Sequence, residues 1–253
     1  MLLQVHVRPE RTIDMETPEK LQTFPPTHTS SYIDDFGNRC TRLIAPAGLL
    51  RLSNSFHIRD SGVQESLPWG AQQSQVNALP DGVLVYLLGS RYCDTDRLAT
   101  TAWSLFGQTE GGWPRVQAIL DYTHARITFG YQHARNDRTA SEGHQERVGV
   151  CRDFAHLAIT LCRCMNIPAR YCTGYLGDIG VPRDPAPMDF SAWFEVYLNG
   201  NWHTVDARHN HPRIGRIVMA RGRDATDAAI STAFGEATLR HFEVITEEVK
   251  PRP

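Results

Sequence analysis

The element pattern of this 253-residue chain predicts an α+β fold, on three observations. The first eighty residues break into short strand-like runs separated by turn residues. Two amphipathic helical segments follow between Asp94 and Phe129. A third helix then starts at Cys151 and leads into a strand and a tight hairpin. Strands and helices in separate runs, rather than in strict alternation, indicate α+β packing.

In chain order, Leu3–Val7 alternates as a strand does, and Glu10 to Ser30 is polar with Pro25-Pro26 inside it. Ser31–Phe36, Arg39–Ile44, Leu49–Asn54 and Phe56–Arg59 are further strand candidates, with Gly37-Asn38 and Pro46/Gly48 as turns. Asp34, Asp35 and Asn38 have cation-binding side chains, but D-D-F-G-N reads better as a turn. Ser61 to Gly82 is a connector rich in Gly, Pro, Gln, Ser and Asn. The expected organisation is therefore a β domain over 1–80 and a second domain over 81–253, with Val83–Leu88 docking on the latter.

Asp94–Phe106 carries Leu98, Ala102, Leu105 and Phe106 on one side and is stopped by Gly111-Gly112. Trp113–Phe129 repeats the pattern with Val116, Leu120, Thr123 and Ile127, and Pro114 suits a helix start. Tyr131–Gln145 shows no period and is read as a loop. From Cys151 an apolar stripe runs through Phe154, Leu157, Ala158, Leu161, Cys162 and Met165. Asn166 and Pro168 end that helix, and Ala169–Tyr175 reads as a strand. Asp189–Leu198 and Trp202–Ala207 flank Asn199-Gly200, a two-residue hairpin signal. That turn sets Trp193 opposite Asp206 and Ser191 opposite Arg208, with all four on one face and Ser191 diagonal to Asp206. Arg213–Met219 and His241–Glu247 are later strand candidates, and Asp224–Phe234 a short helix.

Composition excludes several classes. A hydrophobic content of 41% and a charged content of 21% describe a globular chain, and a net charge of -2 points to neither nucleic acid nor an anionic membrane. No apolar run approaches a membrane span, and the N-terminus shows no signal-peptide pattern, although the true start could lie upstream of Met1. None of the six cysteines forms a C-x-x-C pair, which leaves a reduced, cytoplasmic protein without zinc or other cofactor as the expectation. Cys162, Cys164 and Cys172 read as packing residues. Cys151 differs: at a helix start it meets the positive end of the macrodipole and free N–H groups, which favour thiolate.

Three stretches fall in a distinctive order: G-V-C-R-D-F-A-H-L at 149–157, N-I-P-A-R-Y at 166–171 with Gly174-Tyr175, and A-W-F-E-V-Y-L at 192–198 leading to W-x-x-V-D at 202–206. Together they resemble the bacterial transglutaminase-like family of papain-type cysteine enzymes. The resemblance covers about 83–253 and implies a papain-like core, a Cys helix packed on an antiparallel sheet, preceded by a small β-sandwich. It also implies a thioester-forming acyl-transfer enzyme acting on a peptide or protein substrate, by hydrolysis or by transglutamination. The family triad of Cys, His and Asp maps its Cys to Cys151 and its Asp to Asp206, with Trp193 in the substrate cleft. Its His position is Ser191, whose hydroxyl is a poor base near neutral pH. His209, three residues past Asp206, is the candidate surrogate base, because a loop can redirect its ring. His203 faces away from Asp206 in a regular strand, and His156 lies on the wrong side of its helix. His203, His209 and His211 could also hold a metal ion, but no carboxylate or Cys pairing supports that. Gln145 is a candidate oxyanion donor. The other class of function is a binding or scaffold module that keeps the fold without the base.

Overall fold

The computed structural model of the protein describes residues 1–249. The N-terminal part holds β1 (Leu2–Leu3), β2 (Gln22–Phe24), β3 (Thr29–Ile33), β4 (Arg39–Leu43) and β5 (Arg51–Ser53). β3 and β4 are antiparallel, joined by the Asp34–Asn38 turn. Asp34 Oδ1 accepts from the N–H groups of Phe36 (2.9 Å) and Asn38 (2.7 Å), so these side chains close a turn as expected. The expected strand over Leu3–Val7 is cut to β1, because the Val7 N–H is drawn to Glu19 Oε1 at 2.9 Å and the Arg8 N–H to the Val218 carbonyl at 3.3 Å. Phe56–Arg59 contributes a single bridge between Met15 and Ile58.

Next come α1 (Asp81–Leu84), α2 (Thr95–Phe106), α3 (Trp113–Arg126), β6 (Thr128–Phe129), α4 (Ala140–Glu146), β7 (Val148–Gly149) and α5 (Cys151–Cys164). α4 lies where a loop was expected. Its signal was T-x-x-E: Thr139 accepts from the Glu142 N–H, and Glu142 accepts from that of Thr139, a capping box that starts a helix without apolar periodicity. β6 and β7 pair in parallel, setting Phe129 beside Gly149, two residues ahead of Cys151.

The rest of the chain forms β8 (Ala169–Tyr175), β9 (Ser191–Leu198), β10 (Asn201–Val205), β11 (Ile217–Gly222) and β12 (Ser231–Thr232). β10-β9-β8-β11 is one antiparallel sheet, and α5 packs on β8 and β9 with α2, α3 and α4 around it. Every residue of α5 from Asp153 to Cys164 is buried, so this helix is the core of the molecule. β9 and β10 pair Leu198 with Asn201 and Phe194 with Val205, the register that the Asn199-Gly200 turn dictates.

The expected helix over Asp224–Phe234 is absent. Asp224 Oδ1 accepts from the Thr226 N–H at 2.8 Å and Asp227 Oδ2 from the Arg223 N–H at 2.9 Å, so side chains replace helical carbonyls as acceptors. The chain then runs into β12, which pairs with β1 and completes a second sheet, β12-β1-β4-β3. The expected strand over Arg213–Met219 starts later, at Ile217, and His241–Glu247 is irregular. That last stretch lies along the loop after β8: Val244 is buried, and the Phe242 ring is 5.7 Å from that of Phe190.

The connector is continuously exposed only in its first part, although Trp69, Gly70 and residues 75–78 are exposed as well. Leu67 packs on the core, Ala71 is buried, and the Ala71 and Gln72 carbonyls accept from the N–H groups of Trp113 (2.9 Å) and Asn199 (3.0 Å). Between the N-terminal β part and the papain-like sheet, Arg221 on β11 bridges Glu195 on β9, at 2.9 Å, and Glu10. Among the described residues no helix is long and apolar enough to cross a membrane.

Candidate active site

Cys151 opens α5 and is partly exposed. Asp153 holds the helix start, accepting from the Val150 N–H (2.8 Å) and from Arg138 (3.0 Å). Gly149 allows this approach, since a Cβ there would sit 2.7 Å from that of Asp153. Burial works against the expected thiolate. Burial pushes the Cys151 thiol up to about 11, against the opposing pull of the Arg208 guanidinium and the Ala192 backbone N–H. The carboxylates of Asp189 and Asp206 add to the upward push. Cys162 and Cys172 are wholly buried and Cys164 nearly so, as packing residues are.

Asp206, just past the end of β10, is 6% exposed. Its Oδ1 accepts from the N–H groups of Arg208 (2.9 Å) and His209 (3.1 Å). Its Oδ2 accepts from Arg216 Nη2 at 2.7 Å and meets His209 Nδ1 at 2.8 Å. Burial acts to raise its pKa, but the Arg216 charge and the bonds from His209 hold it well below the usual carboxylate range. An ionised carboxylate can only accept, so His209 Nδ1 carries the hydrogen, and in the neutral ring Nε2 carries the lone pair.

The structure thus joins two of the candidate residues, Asp206 and His209, in a pair. It does not join that pair to the thiol: among the described residues no imidazole is hydrogen-bonded to Cys151 Sγ. The Ala192 N–H of β9 favours the Cys151 thiolate, and Ser191 immediately precedes Ala192. Ser191 is 6% exposed, and its Oγ has no partner among the described residues.

Two candidates are placed elsewhere than expected. Gln145 is exposed on α4 and makes no side-chain hydrogen bond among the described residues. Trp193 is 1% exposed and so is no cleft wall; it lies under Arg216, whose guanidinium is 4.9 Å from its ring centre. The alternation of β9 put Trp193 on the site face correctly, but Arg216 comes from the chain beyond Asp206 and covers it. Arg216 had no signal in the sequence, because its ion pair spans a loop rather than a register.

The remaining histidines have separate partners. His156 is stacked on Tyr92 at 5.0 Å, and its Nε2 accepts from the Ala225 N–H at 3.2 Å. His203 Nε2 meets the Leu198 carbonyl at 3.2 Å, and His211 Nδ1 that of Pro212 at 3.1 Å. Among the described residues no three His, Cys, Asp or Glu side chains are grouped to hold a metal ion.

The comparisons with known proteins agree with this arrangement. The transglutaminase-like superfamily core matches residues 101–207. A crystal structure from Cytophaga hutchinsonii, provisionally named a cysteine protease, is 33% identical with a TM-score of 0.75; the match covers 94% of this chain and 80% of that one. An uncharacterised protein of Mycobacterium leprae is 28% identical over 226 residues, 83% of this chain and 77% of its own length. One from Mycobacterium tuberculosis is 31% identical over 127 residues, 45% of this chain and 40% of its own length. With the Cys helix on an antiparallel sheet and the hairpin that carries Asp206, this chain belongs to the transglutaminase-like superfamily.

Proposed function

We propose that the protein is a cysteine-dependent acyl-transfer enzyme acting on a peptide or carboxamide bond. The observation that carries this reading is the 2.8 Å bond between Asp206 Oδ2 and His209 Nδ1, which orients an imidazole with Nε2 free to take a proton. Cys151 Sγ adds to the substrate carbonyl as its proton passes to His209 Nε2, and the leaving amine takes that proton as the thioester forms. Water or a second amine then resolves the thioester, giving hydrolysis or transfer. The imidazole reaches the thiol only when the loop carrying His209 closes on a substrate; catalytic hydrogen bonds commonly tighten in this way. The six cysteines are free, which fits a reducing compartment such as the cytoplasm.

A second reading, a binding module without catalysis, is favoured by Ser191 at the family His position and by the raised thiol pKa. Iodoacetamide labelling of Cys151 across pH separates the two. For the enzyme, His209→Ala removes reactivity below pH 8, measured by mass spectrometry of the Cys151 peptide. If His209→Ala changes nothing while Ser191→His creates reactivity, the natural protein is the binding module.

A further inference from the structure

Arg208 stands out among the arginines of the molecule. Arg170, Arg216 and Arg221 all meet carboxylates, and Arg163 is bonded to backbone carbonyls. Arg208 is half-buried, yet among the described residues no carboxylate lies within 4.0 Å of it and no hydrogen bond uses its guanidinium. None of its nitrogens is a buried orphan either, so its donors face solvent. The group is nevertheless held in place. Its backbone N–H is bonded to Asp206 Oδ1 at 2.9 Å, and its guanidinium lies 3.7 Å from the Phe129 ring centre. Phe129 is paired with Gly149, two residues before Cys151. Arg208 lies in the turn that follows β10, three residues past Val205.

We propose that Arg208 is a specificity residue that binds a carboxylate on the substrate, next to the carbonyl attacked by Cys151. A guanidinium fork matches a carboxylate in shape and charge, and stacking on an aromatic ring orients the fork without using its donors. The substrate class is therefore an acidic peptide or a carboxamide with a neighbouring carboxylate. The nearby acid of the protein is Asp189, which is exposed and accepts from the Phe190 N–H at 2.7 Å. Its charge and that of Arg208 both act at the thiol, as supporting observations. The substrate class rests on the acyl-transfer reading of Cys151; the binding of an anion at Arg208 does not.

The test compares iodoacetate with iodoacetamide on the full chain. In both reactions the Cys151 thiolate displaces iodide and forms one C–S bond, so the ionised fraction of the thiol cancels from the ratio of the two rates. A cation beside the sulfur raises the iodoacetate rate relative to that of iodoacetamide. The expected ratio at Cys151 exceeds that of N-acetylcysteine measured alongside. It falls several-fold in Arg208→Gln, is largely kept in Arg208→Lys, and falls in the wild type as salt is raised. An unchanged ratio in a folded Arg208→Gln variant overturns the proposal, as does a wild-type ratio insensitive to salt. A several-fold rise in Asp189→Asn also overturns it, since Asp189 then occupies the guanidinium. Complete resistance of Cys151 to iodoacetate between pH 7 and 10 overturns it as well, because the site then excludes even a small carboxylate. Loss of the His209 dependence with an intact ratio sinks the acyl-transfer reading and leaves the anion site standing.

Discussion

His156 shows what burial does to a titratable group on the Cys helix. It is wholly buried, and burial pushes its pKa from 6.5 down to about 3 despite the nearby Asp224 carboxylate. The unfolded chain therefore binds a proton below pH 6.5 that the folded chain refuses until about 3. Folding is unaffected by this group above pH 6.5. It loses roughly 1.4 kcal/mol per pH unit as the pH falls through the window between the two values. His156→Gln keeps an acceptor for Ala225 and should flatten that slope, as read by urea unfolding at pH 7, 6 and 5. Equal slopes in the two proteins would show that other groups set the acid limit. At this scale the sequence was only partly informative. The position of Cys151 at a helix start was legible from Gly149 and the apolar stripe, but its protonation was not, because desolvation depends on neighbours such as Tyr171 and Ala192 that arrive from other strands.

At the level of elements, α5 and the β9–β10 hairpin carry the site. Leu161 in α5 is 0% exposed, whereas Leu105 in α2 is 43% exposed. Leu161→Ala should cost about 2–5 kcal/mol through lost burial and a residual cavity, and Leu105→Ala should stay within about 1 kcal/mol. Chemical denaturation of the two variants checks the contrast, and equal losses would place the core elsewhere. The hairpin depends on Asn199 and Gly200, which have φ of 50° and 79°. Such angles suit Asn and Gly and strain most other residues. Gly200→Val should destabilise the hairpin by about 1 kcal/mol or more and loosen Asp206, so its thermal midpoint should fall below that of the wild type. Both elements were legible because each states its geometry locally, one through a 3.6-residue period and the other through a turn dipeptide. α4 was missed, because its signal was a cap rather than a period.

Over the whole molecule, the N-terminal β part and the papain-like sheet are tied by β1–β12 pairing and by Arg221 between Glu10 and Glu195. Brief proteolysis should cut in the exposed 59–64 stretch and spare 67–79, which is bonded to α3 and to the hairpin. The two fragments should stay together on gel filtration, since neither tie passes through the cut. Separation of the fragments, or first cleavage inside 70–79, would show that these contacts do not hold the halves. By itself the sequence determined α2, α3 and α5, the β9–β10 register and the family. These follow from side-chain period, turn chemistry and local order along the chain. Tertiary structure alone decided that Ser231–Thr232 pairs with Leu2–Leu3, that Arg216 covers Trp193 and neutralises Asp206, and that burial pushes the Cys151 thiol pKa up. A two-residue strand has no period to read, and an ion pair across a loop has no register. A thiol's charge is set by how much water and which charges surround it after folding.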